Sequence, residues 1–114
     1  MSRIDLRRLT AEQATAGFAG LFGVWCAAFG LSADDGAARG WRDHGWPTQR
    51  RCPGLRFFAV YRDGVPIAFA YGYRGARGQW WTDRIVEALG PDVAGAWIGD
   101  HFELSEIAVE PSAA

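Results

Sequence analysis

Leu55-Arg56-Phe57-Phe58-Ala59-Val60-Tyr61-Arg62-Asp63-Gly64-Val65-Pro66-Ile67-Ala68-Phe69-Ala70-Tyr71-Gly72-Tyr73-Arg74 holds two apolar runs that meet at Asp63-Gly64. Asp-Gly between such runs marks a two-residue hairpin, because both turn positions need a positive φ. Leu55 to Arg62 and Ile67 to Arg74 are therefore expected to be neighbouring antiparallel strands. Both are apolar on both faces, the pattern of strands in the middle of a covered sheet.

Upstream, Arg3 to Leu9 reads as a short strand and Thr10-Ala11-Glu12-Gln13 as a capping box opening a helix. Ala14, Phe18, Leu21, Phe22, Trp25, Ala28 and Phe29 follow the helical period, with Gly17, Gly20 and Gly23 on the other side, where something can approach closely. Gly30 is placed to end that helix. Ser32-Ala33-Asp34-Asp35 offers a second cap for a helix through Ala37, Ala38 and Trp41, which Trp46-Pro47 should stop. Thr48 to Gly54 reads as a loop.

Downstream of the hairpin, Gly75-Ala76-Arg77-Gly78 is a loop, and Thr82 is expected to cap a short helix running to Gly90-Pro91. Asp92 to Asp100 is ambiguous. Phe102 to Val109 reads as a final strand closed by Pro111. The order is strand, helix, helix, strand, strand, helix, strand, which implies an α+β fold with an antiparallel sheet flanked by helices.

The 114 residues suit one domain, 1–114, and 49% hydrophobic content supplies a core. A net charge of −1 gives no basic field, so neither nucleic acid nor an anionic membrane is an expected partner. All 12 basic residues are arginine. Cys26 and Cys52 form neither a CxxC pair nor a disulfide framework, which points to a reduced, cytoplasmic protein. Met1 to Asp5 does not read as a signal peptide, and the apolar stretch Phe18 to Leu31 is short for a membrane span. His44 and His101 lack partners at metal spacing, so no metal is expected. His101 beside Asp100 reads as a relay or as an ordinary loop histidine.

Phe69-Ala70-Tyr71-Gly72-Tyr73, Gly78-Gln79-Trp80-Trp81 and Glu106-Ile107-Ala108-Val109-Glu110-Pro111, in this element order, resemble the first two-thirds of a GNAT-superfamily N-acetyltransferase. The resemblance implies acetyl transfer from acetyl-CoA to a small-molecule amine. It also implies that a glycine-rich coenzyme A pyrophosphate loop should follow Pro111, where this sequence has Ser112-Ala113-Ala114. A fold truncated after its fourth strand, with weak or absent acetyl-CoA binding and doubtful activity for the isolated chain, is the resulting expectation.

On that resemblance the backbone of Ile107, Ala108 and Val109 meets the cofactor's pantetheine arm, and Glu103 or Glu106 is the general base. Strict alternation puts the two carboxylates on opposite faces unless a bulge intervenes, with Glu106 beside Phe102, Leu104 and Ala108. Apolar surroundings would raise its pKa, which favours Glu106 as base. The alternative is that both are solvated or paired with arginine. Tyr71, Tyr73, Trp80, Trp41 and Trp46 are candidate walls for a cationic amine, or packing residues, and Trp81 reads more as packing. Competing functions are a non-catalytic small-ligand module and an interaction protein. In the latter the fourth strand, left as an edge, pairs with a second copy or a complementing chain.

Overall fold

A computed structural model describes residues 2–113. Met1 and Ala114, touched by the readings of the chain's first residues and of Ser112-Ala113-Ala114, lie outside them. Strands β1 (Ile4–Leu9), β2 (Arg56–Arg62), β3 (Val65–Arg74) and β4 (Phe102–Val109) form one antiparallel sheet in the order β1-β2-β3-β4. The hairpin turn is as expected, with Asp63 at φ 50° and Gly64 at φ 82°. Ile67 is an extra residue in β3, beside Pro66, which has no N–H for the ladder.

The first helix is two helices, α1 (Ala11–Ala16) and α2 (Phe18–Phe29), separated at Gly17. The Thr10 capping box forms, with the Gln13 N–H donating to Thr10 Oγ1 at 3.1 Å and the Thr10 N–H to Gln13 Oε1 at 2.8 Å. Gly30 closes α2 in the left-handed conformation. Close approach on the glycine side is realised at Gly20, where an added Cβ would stand 3.0 Å from Pro66.

Pro47 does not stop the next helical segment. Helix α3 (Gly36–Gly40), capped by Asp35, runs through a π-helical turn at Trp41–Gly45 into α4 (Trp46–Gln49). In the wider turn the Trp46 N–H bonds back to the Trp41 carbonyl. Pro47 then sits in the first turn of α4, where a missing N–H is tolerated. The residues read as loop from Thr48 onward thus begin in helix. Helix α5 (Trp80–Leu89) starts earlier than expected, capped at Gln79, so Thr82 lies inside it and is buried. The ambiguous stretch contains α6 (Pro91–Trp97).

Helices α1 to α4 pack on one side of the sheet around an aromatic core. Trp41 stacks between Trp25 (centroids 5.2 Å apart) and Phe69 (5.7 Å), and Trp46 meets Phe57 and Tyr71 edge-on. Among the described residues the opposite face of the sheet carries no helix core. Leu6 is 70% exposed, Leu104 60% and Ile107 61%, so the expectation of a sheet covered on both faces fails for this side. Among the described residues no helix is long and apolar enough to cross a membrane.

Candidate functional site

The geometry of the site begins with a bulge. Tyr71 pairs with Glu106 and Gly72 with Leu104, so Ser105 is an extra residue in β4. Directly opposed residues share a face. Glu106 therefore lies on the inner face beside Tyr71, and Glu103, opposite Tyr73, lies there too. The two carboxylates expected on opposite faces share one, and Phe102 and Leu104 point away from Glu106. Gly72 makes this possible: a Cβ there would run into the Glu103 carbonyl and the Phe102 ring.

Glu106 is half-buried on the floor of a cavity of about 760 Å³. The π-helical turn contributes His44 and Gly45, α4 contributes Thr48 and Gln49, and β3 contributes Tyr73, with Cys52 beside them. The start of α5 supplies Trp80 and Trp81 from the opposite wall. Burial pushes the Glu106 carboxyl above its ordinary range, opposed by the Trp25 indole N–H, which donates to Oε2 at 3.4 Å. Burial likewise raises the Cys52 thiol, with the nearby Glu103 charge adding to it.

Of the expected aromatic walls, the structure brings Tyr73 and Trp80 to the cavity. Tyr71, Trp41 and Trp46 are core residues and do not line it. Tyr71 accepts from the Trp41 indole N–H at 2.8 Å and donates to Gln49 Oε1, and burial drives its phenol pKa up. Trp81, read as packing, is 50% exposed and Trp80 67%, and the two rings stack at 5.6 Å along the cavity mouth. The Arg84 guanidinium already lies over the Trp80 ring, 5.7 Å from its centroid. One face of the Trp80 ring is thus already taken by a cation.

Glu103 is 8% exposed. Its Oε1 accepts from the Thr82 hydroxyl and from His101 Nε2 at 2.9 Å, while Oε2 is buried with no partner among the described residues. The Gly99 N–H donates to His101 Nδ1 at 3.3 Å, which leaves Nε2 to carry the proton toward Glu103. His101 is therefore bonded to Glu103, not to its neighbour Asp100. This trio went unread in the sequence, although the i, i+2 spacing of His101 and Glu103 at a strand entrance was the available signal.

Ile107, Ala108 and Val109 lie on the edge strand. The Glu110 N–H donates to the Ile67 carbonyl at 2.8 Å, and antiparallel alternation from that bond turns the N–H and C=O groups of Ile107 and Val109 toward the free edge. After them Pro111–Ala113 forms a 3₁₀ turn. Comparison with family models, with characterised proteins and with solved structures finds no match.

Proposed function

We propose that this chain is a GNAT-type N-acetyltransferase-like domain whose reaction class is acetyl transfer to a small-molecule amine. The observation that carries the reading is the pairing of Glu106 with buried Tyr71, which sets its carboxylate inward on the floor of an aromatic-walled cavity. A carboxylate with a raised pKa is suited to removing a proton from an amine. Trp81, half exposed beside Trp80, offers a ring face to a cationic acceptor at the mouth.

Acetyl-CoA, when bound, supplies the thioester carbonyl that the amine attacks. The free backbone groups of Ile107 and Val109, with the small Ala108 between them, fit the pantetheine arm as hydrogen-bonding partners. A 3₁₀ turn follows β4 among the described residues. The strand edge thus fits the pantetheine part of the cofactor.

The test is release of free coenzyme A thiol with acetyl-CoA and a panel of small primary amines. Glu106→Gln should lower the rate about 10²-fold or more, as for a lost general base. Glu103→Gln should matter less, because Glu103 is tied to Thr82 and His101. An unchanged rate in Glu106→Gln, or a larger loss from Glu103→Gln, reverses the assignment.

A second reading is a non-catalytic ligand-binding or oligomerising module. It is favoured by the position of β4, which among the described residues pairs with β3 alone and presents its other edge with Leu104 and Ile107 exposed. A homodimer or complementing chain through this edge should appear in light scattering at about 100 μM, where micromolar contacts are populated. Ile107→Lys should disperse it.

A further inference from the structure

The register assigns every strand residue to a face, and the outward set is one-sided in charge. Ile4, Leu6 and Arg8 project outward from β1, and Arg56, Phe58, Val60 and Arg62 from β2. From β3 come Val65, Ala68, Ala70, Gly72 and Arg74, and from β4 come Phe102, Leu104, Ile107 and Val109. An apolar field is thus rimmed by four arginines, and no outward strand position holds a carboxylate. None of Arg8, Arg56, Arg62 and Arg74 forms an ion pair among the described residues.

The surface is also larger than the chain length calls for. The accessible area is 7167 Å², against about 6,200 Å² for a monomer of this mass by the usual scaling. The surplus, about 1,000 Å², is comparable to the ~800 Å² each partner contributes to a standard interface. At one corner of the field a recess of about 230 Å³ is lined by Arg56, Arg74, His101, Asp100, Gly54 and Phe102. Arg56 lies over the Phe102 ring, 5.7 Å from its centroid, reaching across the gap left by Gly72.

The geometry points to a docking face for an acidic amphipathic helix of another polypeptide, laid across the outward side of the sheet with one carboxylate in the Arg56/Arg74 recess. An open sheet face is normally covered by helices, which fill its apolar field. The arginine rim selects carboxylates and pairs with them bidentately. A second copy is a poor occupant, because it would bring its own four arginines against these four. The outward set has no tryptophan or tyrosine of the kind that anchors proteins at a lipid interface, so a membrane is the weaker choice.

The experiment uses the full chain and two synthetic helical peptides of about 18 residues, long enough to cross the four strands. They share a leucine and alanine stripe, one flanked by glutamate and the other by lysine. Calorimetry should give a Kd below about 100 μM for the glutamate peptide, with about tenfold or weaker binding of the lysine peptide. The double variant Arg56→Glu/Arg74→Glu should reverse that preference, and Phe58→Asp should remove binding of both. Arg62→Glu, a separate rim position, should weaken the glutamate peptide alone and serves if the double variant loses its far-UV circular dichroism. Equal affinities, no binding of the glutamate peptide at about 1 mM, or capture by phosphatidylserine vesicles without peptide binding would each overturn the proposal. So would a dimer abolished by Leu6→Asp, since Leu6 lies across the sheet from the β4 edge and only a copy seated on the face would feel it.

Discussion

Tyr71 and Glu106 stand directly opposite each other across β3 and β4, and the next pair is Gly72 with Leu104, so one residue of β4 has no counterpart. That single unpaired residue, Ser105, brings Glu103 and Glu106 to the same side of the sheet. It gives them different environments. Glu106 reaches the cavity, and Glu103 is closed in by Thr82 and His101.

Gly72 is the other half of the bulge. A methyl group there would collide with the Glu103 carbonyl and the Phe102 ring, and backbone does not yield easily. Gly72→Ala should cost about 1–3 kcal/mol, as overpacking does. Urea denaturation checks it, and an unchanged midpoint would mean that the β3–β4 register is wrong.

Thr82 is a buried hydroxyl inside α5 whose hydrogen bond goes to a buried carboxylate. Thr82→Val keeps the shape and removes the donor. With no partner for Oε2 among the described residues, losing one of the two donors to Oε1 should destabilise the fold by about 1–3 kcal/mol. Thr82→Ser, which restores the hydroxyl, should recover most of the loss in chemical denaturation.

The Glu106 carboxyl titrates above its ordinary value of 4.5 because it is buried, with the Trp25 N–H opposing the shift. Between the unfolded and the raised folded value the native state holds more protons, so stability falls as pH rises through that window. The contribution of protonated Glu106 is fully present below the unfolded value and lost above the folded one. Glu106→Gln imitates the neutral form and still accepts from Trp25. It should be more stable than the wild type at neutral pH, with the difference closing below about pH 4. A variant less stable than the wild type at neutral pH would mean that the carboxylate is well solvated.

If the acetyl-transfer reading holds with contacts from the β4 edge alone, acetyl-CoA should bind more weakly than about 100 μM, about −5.5 kcal/mol. Saturable binding at low micromolar concentration in calorimetry would require a phosphate site elsewhere. Arg50, Arg51, Arg74 and Arg77 are the residues to replace in that event.

The sheet was legible because its signals are local: Asp63-Gly64 dictates the hairpin, and the apolar run from Phe102 to Val109 dictates β4. The capping box at Thr10 and the stop at Gly30 were legible for the same reason. Pro47 misled because a proline breaks a helix only where its N–H is needed, and the π-helical turn moves it into a first turn. The site was half legible. Glu106, Tyr73 and Trp80 reach the cavity, yet the relation of Glu103 to Glu106 depends on one extra residue that no alternation rule counts. Trp41 and Trp46 went to the core because the helical segment carrying them folds back onto Phe57 and Phe69, a tertiary contact with no local signature.

Leaving one side of a four-stranded sheet wet also sets how the molecule responds to temperature. Apolar area that stays hydrated in the folded state adds nothing to the heat-capacity change of unfolding, which should fall below the usual ~12–15 cal/mol/K per residue. The stability curve is then flatter, cold denaturation lies further from ambient temperature, and the urea m-value is small for the chain length. Anything that covers the face should steepen that curve as well as raise it, so calorimetry distinguishes a cover of the sheet from a ligand of the cavity by curvature alone.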